Sequence, residues 1–154
     1  MVKPLALIFS FAIAFLTTAE AASPTIDAAT TLFSRFEVLN AKFDQTVETL
    51  YSDRAIICIV VLPTNPRQET TMSSTVGLVY RAMIVTSMAA AKARGDINFF
   101  RNVTYQEISS TQVAVRGKRI SKLKSYSTPF YMEISYLEGR WFITKEVDQI
   151  LSDK

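Results

Sequence analysis

The 154-residue chain is 49% apolar, has only four Gly and five Pro, and carries a formal charge of +3, so it can bury a core and is neither disordered nor strongly basic. It contains no His, which excludes Ser–His and Cys–His catalysis and His-rich zinc sites. A single Cys, Cys58, excludes an internal disulfide, and there is no Gly-rich phosphate loop or dinucleotide fingerprint.

Residues 1–22 read as a secretory signal peptide. Lys3 supplies a positive start, Leu5 to Leu16 is an apolar run broken only by Ser10, and Ala19-Glu20-Ala21-Ala22 offers small residues for cleavage. A membrane-spanning helix needs ~20 apolar residues, and this run is shorter. The expectation is cleavage after Ala21 or Ala22 and one domain over 23–154, periplasmic or secreted.

That domain begins with a helix. Ser23 can cap it and Pro24 suits the first turn. Ile26, Ala29, Phe33, Phe36, Leu39, Phe43, Val47 and Leu50 fall at steps of three and four, one stripe of an amphipathic helix. Asn40 marks a break that would give two helices. Tyr51 to Arg54 reads as a polar turn. Ala55 to Leu62 is short and β-branched, a strand buried on both faces or nearly so, with Cys58 a small hydrophobe within it. Pro63 and Pro66 end that strand, and a loop runs to Thr71. Residues 73–94 then read as a second helix, capped by Ser73 or Ser74 and closed by Gly95. Arg81, Lys92 and Arg94 favour a helix lying against a sheet over a membrane span.

From Asp96 the period becomes two. Ile97–Phe99, Val103–Gln106, Gln112–Arg116, Phe130–Tyr136 and Trp141–Val147 alternate, separated by Ser109-Ser110, Ser125 to Pro129 and Glu138-Gly139. The layout is α+β: N-terminal helices and one central helix covering a curved antiparallel sheet. Phe36, Ile134 and Trp141 or Phe142 are expected in one core.

The chain resembles the nuclear transport factor 2-like superfamily, the cystatin-like or SnoaL-like cones. The resemblance rests on element order, on Leu50-Tyr51-Ser52-Asp53-Arg54-Ala55 before the first strand, on the helix closing at Gly95-Asp96, and on the last strand pair joined through Leu137-Glu138-Gly139-Arg140-Trp141. It implies a cone-shaped sheet enclosing a pocket. It also implies a choice among isomerases, dehydratases, polyketide cyclases, ligand binders and assembly domains, including scaffold subunits of type IV secretion systems.

Asp53, Asp96, Tyr105, Tyr131, Tyr136 and Trp141 are the pocket candidates. The two Asp are more simply a turn residue and a helix-end residue, and the aromatics more simply core, so no catalytic residue is assigned. Arg116, Lys118, Arg119, Lys122 and Lys124 place five cations within nine residues. On an extended strand Arg119 faces away from the other four. They are candidates for an acidic partner or envelope component, against the plainer reading of a charged sheet edge. The leading expectation is an exported, non-catalytic domain that binds a protein partner or a small apolar ligand, as an envelope assembly or accessory subunit. The alternative is a small lyase or isomerase using Asp and Tyr in an apolar cone. No cofactor, metal or nucleic acid is expected, and a homodimer through the sheet is. A carboxylate facing the concave side would favour the enzyme.

Overall fold

The computed structural model describes residues 23–151 apart from Pro66 and Ser125. The expected signal segment and its cleavage site lie outside the described residues.

Helix α1, Pro24–Ala41, starts with Pro in its first turn, and the Ser23 carbonyl accepts a bond from the Asp27 amide at 3.0 Å. The Ser23 side chain makes no cap bond, contrary to expectation. Phe43 then takes a positive φ of 55° and breaks the stripe three residues after Asn40. A short 3-10 helix, Gln45–Leu50, follows; the Asp44 carboxylate accepts from the Thr46 amide at 2.9 Å and caps it. Helix α2 spans Gly77–Arg94. Gly95 ends it in the left-handed region, at φ 65°, so that Asp96 can bond back to the Ala91 carbonyl.

Six strands form one curved sheet: β1 Tyr51–Leu62, β2 Thr71–Val76, β3 Asn98–Ser109, β4 Gln112–Ser121, β5 Tyr126–Leu137 and β6 Arg140–Leu151, in the order β2-β1-β6-β5-β4-β3. Three expectations are corrected. Tyr51 to Arg54 is strand, not turn, and the β1–β6 register shifts between Tyr51 and Ile56 because this stretch bulges. Residues 71–76 are a strand paired with β1, so α2 starts at Gly77 without a serine cap. The sheet is mixed, because β1 runs parallel to β6 while every other pairing is antiparallel.

Both helices lie on the concave face. Phe33 and Phe36 of α1 meet Phe100 and Phe130 with ring centroids 4.7–5.9 Å apart, and Val113, Val115, Met132, Ile134 and Ile143 complete the core. Phe36, Ile134 and Trp141 share this cluster, Trp141 at its margin. No described helix is long and apolar enough to cross a membrane.

Candidate active site

Strand β6 departs from strict alternation at Thr144. Ile134 lies opposite Ile143, yet Glu133 lies opposite Lys145, so Thr144 is an extra residue. The bulge reverses which residues face the helices. Ile143 is buried before it; after it, Glu146 is the inward residue, only 3% exposed, and Asp148 follows two places on.

Three other elements converge on this pair. Arg119 reaches in from β4, in phase with Val113 and Val115, and its guanidinium donates to an Asp148 oxygen at 3.0 Å. Tyr51, the first residue of β1, is buried and donates its hydroxyl to Glu146. Tyr80 of α2 packs on Tyr51 with ring centroids 5.2 Å apart and extends the chain of hydroxyls. These groups line a cavity of about 80 Å³ with Asn98, Phe36, Ile84 and Phe100. Asn98 Oδ1 and Asp148 Oδ1 are buried there without a hydrogen-bond partner among the described residues.

The electrostatics follow from burial. A carboxylate moved out of water loses hydration, so burial pushes the Glu146 carboxyl up to about 8, helped by the neighbouring Asp148 charge and opposed by Tyr51 and Arg119. Asp148 is also raised by burial, against the pull of Arg119. The two carboxyls lie close enough to feel each other's charge, so they titrate as a unit. Burial, then the Glu146 charge, hold Tyr51 and Tyr80 well above the usual phenol range, so both remain hydrogen-bond donors. Among the described residues, no three Cys, Asp or Glu side chains converge as a metal site.

Of the pocket and partner-binding candidates singled out from sequence, only Arg119 lines this cavity, and it does so as an inward ion-pair partner, not as part of an outward basic face. Asp53 is exposed and bound by Arg81 at the mouth of a separate surface depression. Asp96 lies 3.8 Å from Arg94, past the end of α2. Tyr105 packs against Phe33 on the concave face, away from the carboxyl pair. Tyr136 and Trp141 pack against each other at the rim, tilted by 59° with ring centroids 5.5 Å apart. Tyr131 is on the outer sheet face, between Arg116 and Lys145, donating to Glu133 at 2.7 Å. Arg116 and Lys118 are exposed on that outer face, but β4 ends at Ser121, so Lys122 and Lys124 belong to the following turn and not to the strand. Reading the sequence missed Tyr51, Tyr80, Asn98, Glu146 and Asp148. The available signal was Glu146 and Asp148 two apart in a strand, but the alternation of Trp141 and Ile143 points Val147 inward and the acids outward unless a bulge intervenes.

No protein-family model and no curated protein matches the chain. Solved structures do. A protein of unknown function from Pectobacterium atrosepticum superposes with a TM-score of 0.60 at 13% identity, over 83% of this chain and 91% of that one. A nuclear transport factor 2-like protein with a cystatin-like fold from Novosphingobium aromaticivorans gives 0.56 at 12% identity, over 84% of each chain. A putative scytalone dehydratase from the same organism gives 0.55 at 10% identity, over 79% of this chain and 80% of that one. At these identities the likeness shows the fold alone: the chain has the nuclear transport factor 2-like α+β cone.

Proposed function

We propose that the cone holds a proton-transfer site for a small molecule, which would make the domain a lyase or isomerase. The observation that carries this reading is the buried Glu146–Asp148 pair facing a cavity. A carboxyl held up to about 8 is part protonated and part ionised at neutral pH, so it can both take and return a proton. Arg119 holds Asp148 in place, and Tyr51 orients Glu146. The Tyr51 proton is held by Glu146, and Tyr80 can donate to an oxygen on which negative charge develops. At about 80 Å³ the cavity is far smaller than the ~300–1,000 Å³ of a drug-sized ligand site, so the substrate is small or inserts only its reacting end. The partnerless acceptors on Asn98 and Asp148 match a substrate bearing a hydroxyl or amine.

The test is solvent deuterium uptake. A panel of small hydroxylated carbonyl compounds is incubated in heavy water and followed by mass spectrometry. Wild type should label a carbon next to the carbonyl in at least one compound, and Glu146→Gln should abolish the labelling while remaining folded. No labelling in any compound, together with no ligand-induced shift in thermal midpoint, removes the enzyme reading.

A second reading, non-catalytic capture of an acidic partner, is favoured by the exposed Arg116 and Lys118 on the outer sheet face. In either case we place the domain outside the cytoplasm, on the strength of Lys3, the Leu5 to Leu16 run and Ala19-Glu20-Ala21. Mass spectrometry of the exported protein should find residue 22 or 23 at its N-terminus; an intact Met1 in a membrane fraction rules this out.

A further inference from the structure

We infer that the outer face of α2 is a self-association surface, on which a second copy of this chain lays its own α2 antiparallel. Helix α2 buries Gly77, Ile84 and Met88 toward the sheet and the 3-10 helix. The opposite side is also apolar. Leu78 is 62% exposed, Val79 50%, Met83 48% and Val85 45%, and Ala82 and Ala89 are exposed as well. The helix contains no Asp or Glu at all. Single exposed hydrophobes are ordinary, but four large ones on one helix face make a patch that favours a partner. Between Leu78 and Ala90 the exposed residues of the helix are apolar apart from Thr86 and Ser87, a side that suits cover by a partner.

The charges at the two ends of the patch say what covers it. At its N-terminal end stand Glu48 and Asp53, both held by Arg81, a net charge of −1 from two acids and one base. At its C-terminal end stand Lys92 and Arg94, with Asp96 near Arg94, a net charge of +1 from two bases and one acid. A lipid surface of one sign would favour one sign around the whole rim. Two ends of opposite sign instead complement themselves under a two-fold rotation. Leu78 and Lys92 are about 21 Å apart at 1.5 Å per residue, and the point midway is Val85. An axis there sets Lys92 and Arg94 of one copy beside Glu48 and Asp53 of the other, and buries Met83 and Ala82 against the partner's helix. One helix face covers less than the ~800 Å² per partner of a standard interface, so the dimer should be weak, with a dissociation constant of roughly 1–100 μM.

Sedimentation of the domain from 23 onward across that concentration range tests this. Wild type should pass from monomer to dimer. Met83→Glu should weaken association at least tenfold with an unchanged circular dichroism spectrum, and Lys92→Glu with Arg94→Glu should weaken it too. In a Cys58→Ser background, Thr86→Cys, one residue from the axis, should form an intermolecular disulfide on mild oxidation. A protein monomeric throughout the range overturns the inference. So does a dimer that survives Met83→Glu and does not cross-link through position 86, which would put the contact on the outer sheet face. Binding of a monomeric wild type to phosphatidylglycerol vesicles, lost in Met83→Glu, would assign the patch to lipid and overturn it as well.

Discussion

Ile143 and Glu146 stand three residues apart in one strand and face the same side of the sheet. The single extra residue between them, Thr144, puts an ionisable group where alternation would have put Val147. Thr144 is held in place by its own bonds: its hydroxyl lies 2.8 Å from the Ser135 hydroxyl and donates to the Glu133 carbonyl at 3.3 Å. Deleting Thr144 should take the bulge out of β6 and leave Ile143 and Glu146 two positions apart on a regular strand, still on the same side, with Lys145 facing outward between them. The expected outcome is a cooperative thermal transition that keeps the pH dependence of wild type. A deletion variant in which that pH dependence is lost would mean that the bulge does not set the register.

Stability should depend on pH through Glu146. Its folded value, about 8, lies above its ordinary value of 4.5, so between those limits the folded state keeps a proton that the unfolded state has lost. Stability is therefore fully present below pH 4.5 with respect to this group and falls as pH rises toward 8. Every tenfold gain in proton affinity on folding corresponds to ~1.4 kcal/mol, so the total is on the order of a few kcal/mol. Denaturant melts at half-unit pH intervals should show the decline in wild type and a much flatter curve in Glu146→Gln.

Arg119→Leu leaves Asp148 buried with no cation beside it. Removing one member of a buried pair costs ~3–5 kcal/mol. Both carboxyls are raised, so the cost should be largest above pH 8 and smaller near pH 5, where protons neutralise the pair. An equal cost at both pH values would mean that Arg119 contributes packing and not charge.

Phe36 is 3% exposed and meets Phe33, Phe100 and Tyr51. Phe36→Ala should cost ~3–5 kcal/mol, as truncation of a core aromatic does. It also removes one wall of the cavity. An unchanged unfolding midpoint in urea would show that the helix stripe does not carry the core.

Gly77 opens α2 against the bulged start of β1. A Cβ added there would lie 1.9 Å from the Ser52 carbonyl oxygen, closer than any real contact and against backbone that cannot rotate away. Gly77→Ala should destabilise by several kcal/mol, well beyond the ~1 kcal/mol typical of point substitutions. The Tyr51 and Tyr80 rings lie close to this junction, so ligand affinity should suffer with it. Retention of wild-type stability would show that the junction yields.

What was legible in the sequence was periodicity. The Phe33–Phe36 stripe, the Gly95 stop and the two-residue rhythm from β3 onward depend on local geometry and local burial, and they led to the cone. Residues 71–76 were hidden because Ser73 and Ser74 look like helix caps, and only pairing with Ile56 to Val61 of β1 makes them strand. The carboxyl pair was hidden for a related reason. A bulge is specified by the opposing strand, so its effect on parity cannot be read from β6 alone. Asp53 and Asp96 drew attention because they stand at element ends, where polar residues are plain to see but are already occupied by Arg81 and Arg94.

The parallel pairing of β1 with β6 has a consequence for how the chain acquires its shape. Ile57 sits beside Glu146, so the first strand of the sheet cannot find its inner neighbour until the last strand has been made. Contacts this distant in sequence form late and slowly, because the loop they close must be ordered first. Strands β3 to β6, each paired with its successor, can assemble as a meander beforehand. The hairpin of β1 and β2 then docks onto β6, carrying α2 with it. Refolding should thus show two phases by stopped flow, and a chain ending before residue 140 should leave β1, Tyr51 and α2 without a place to dock.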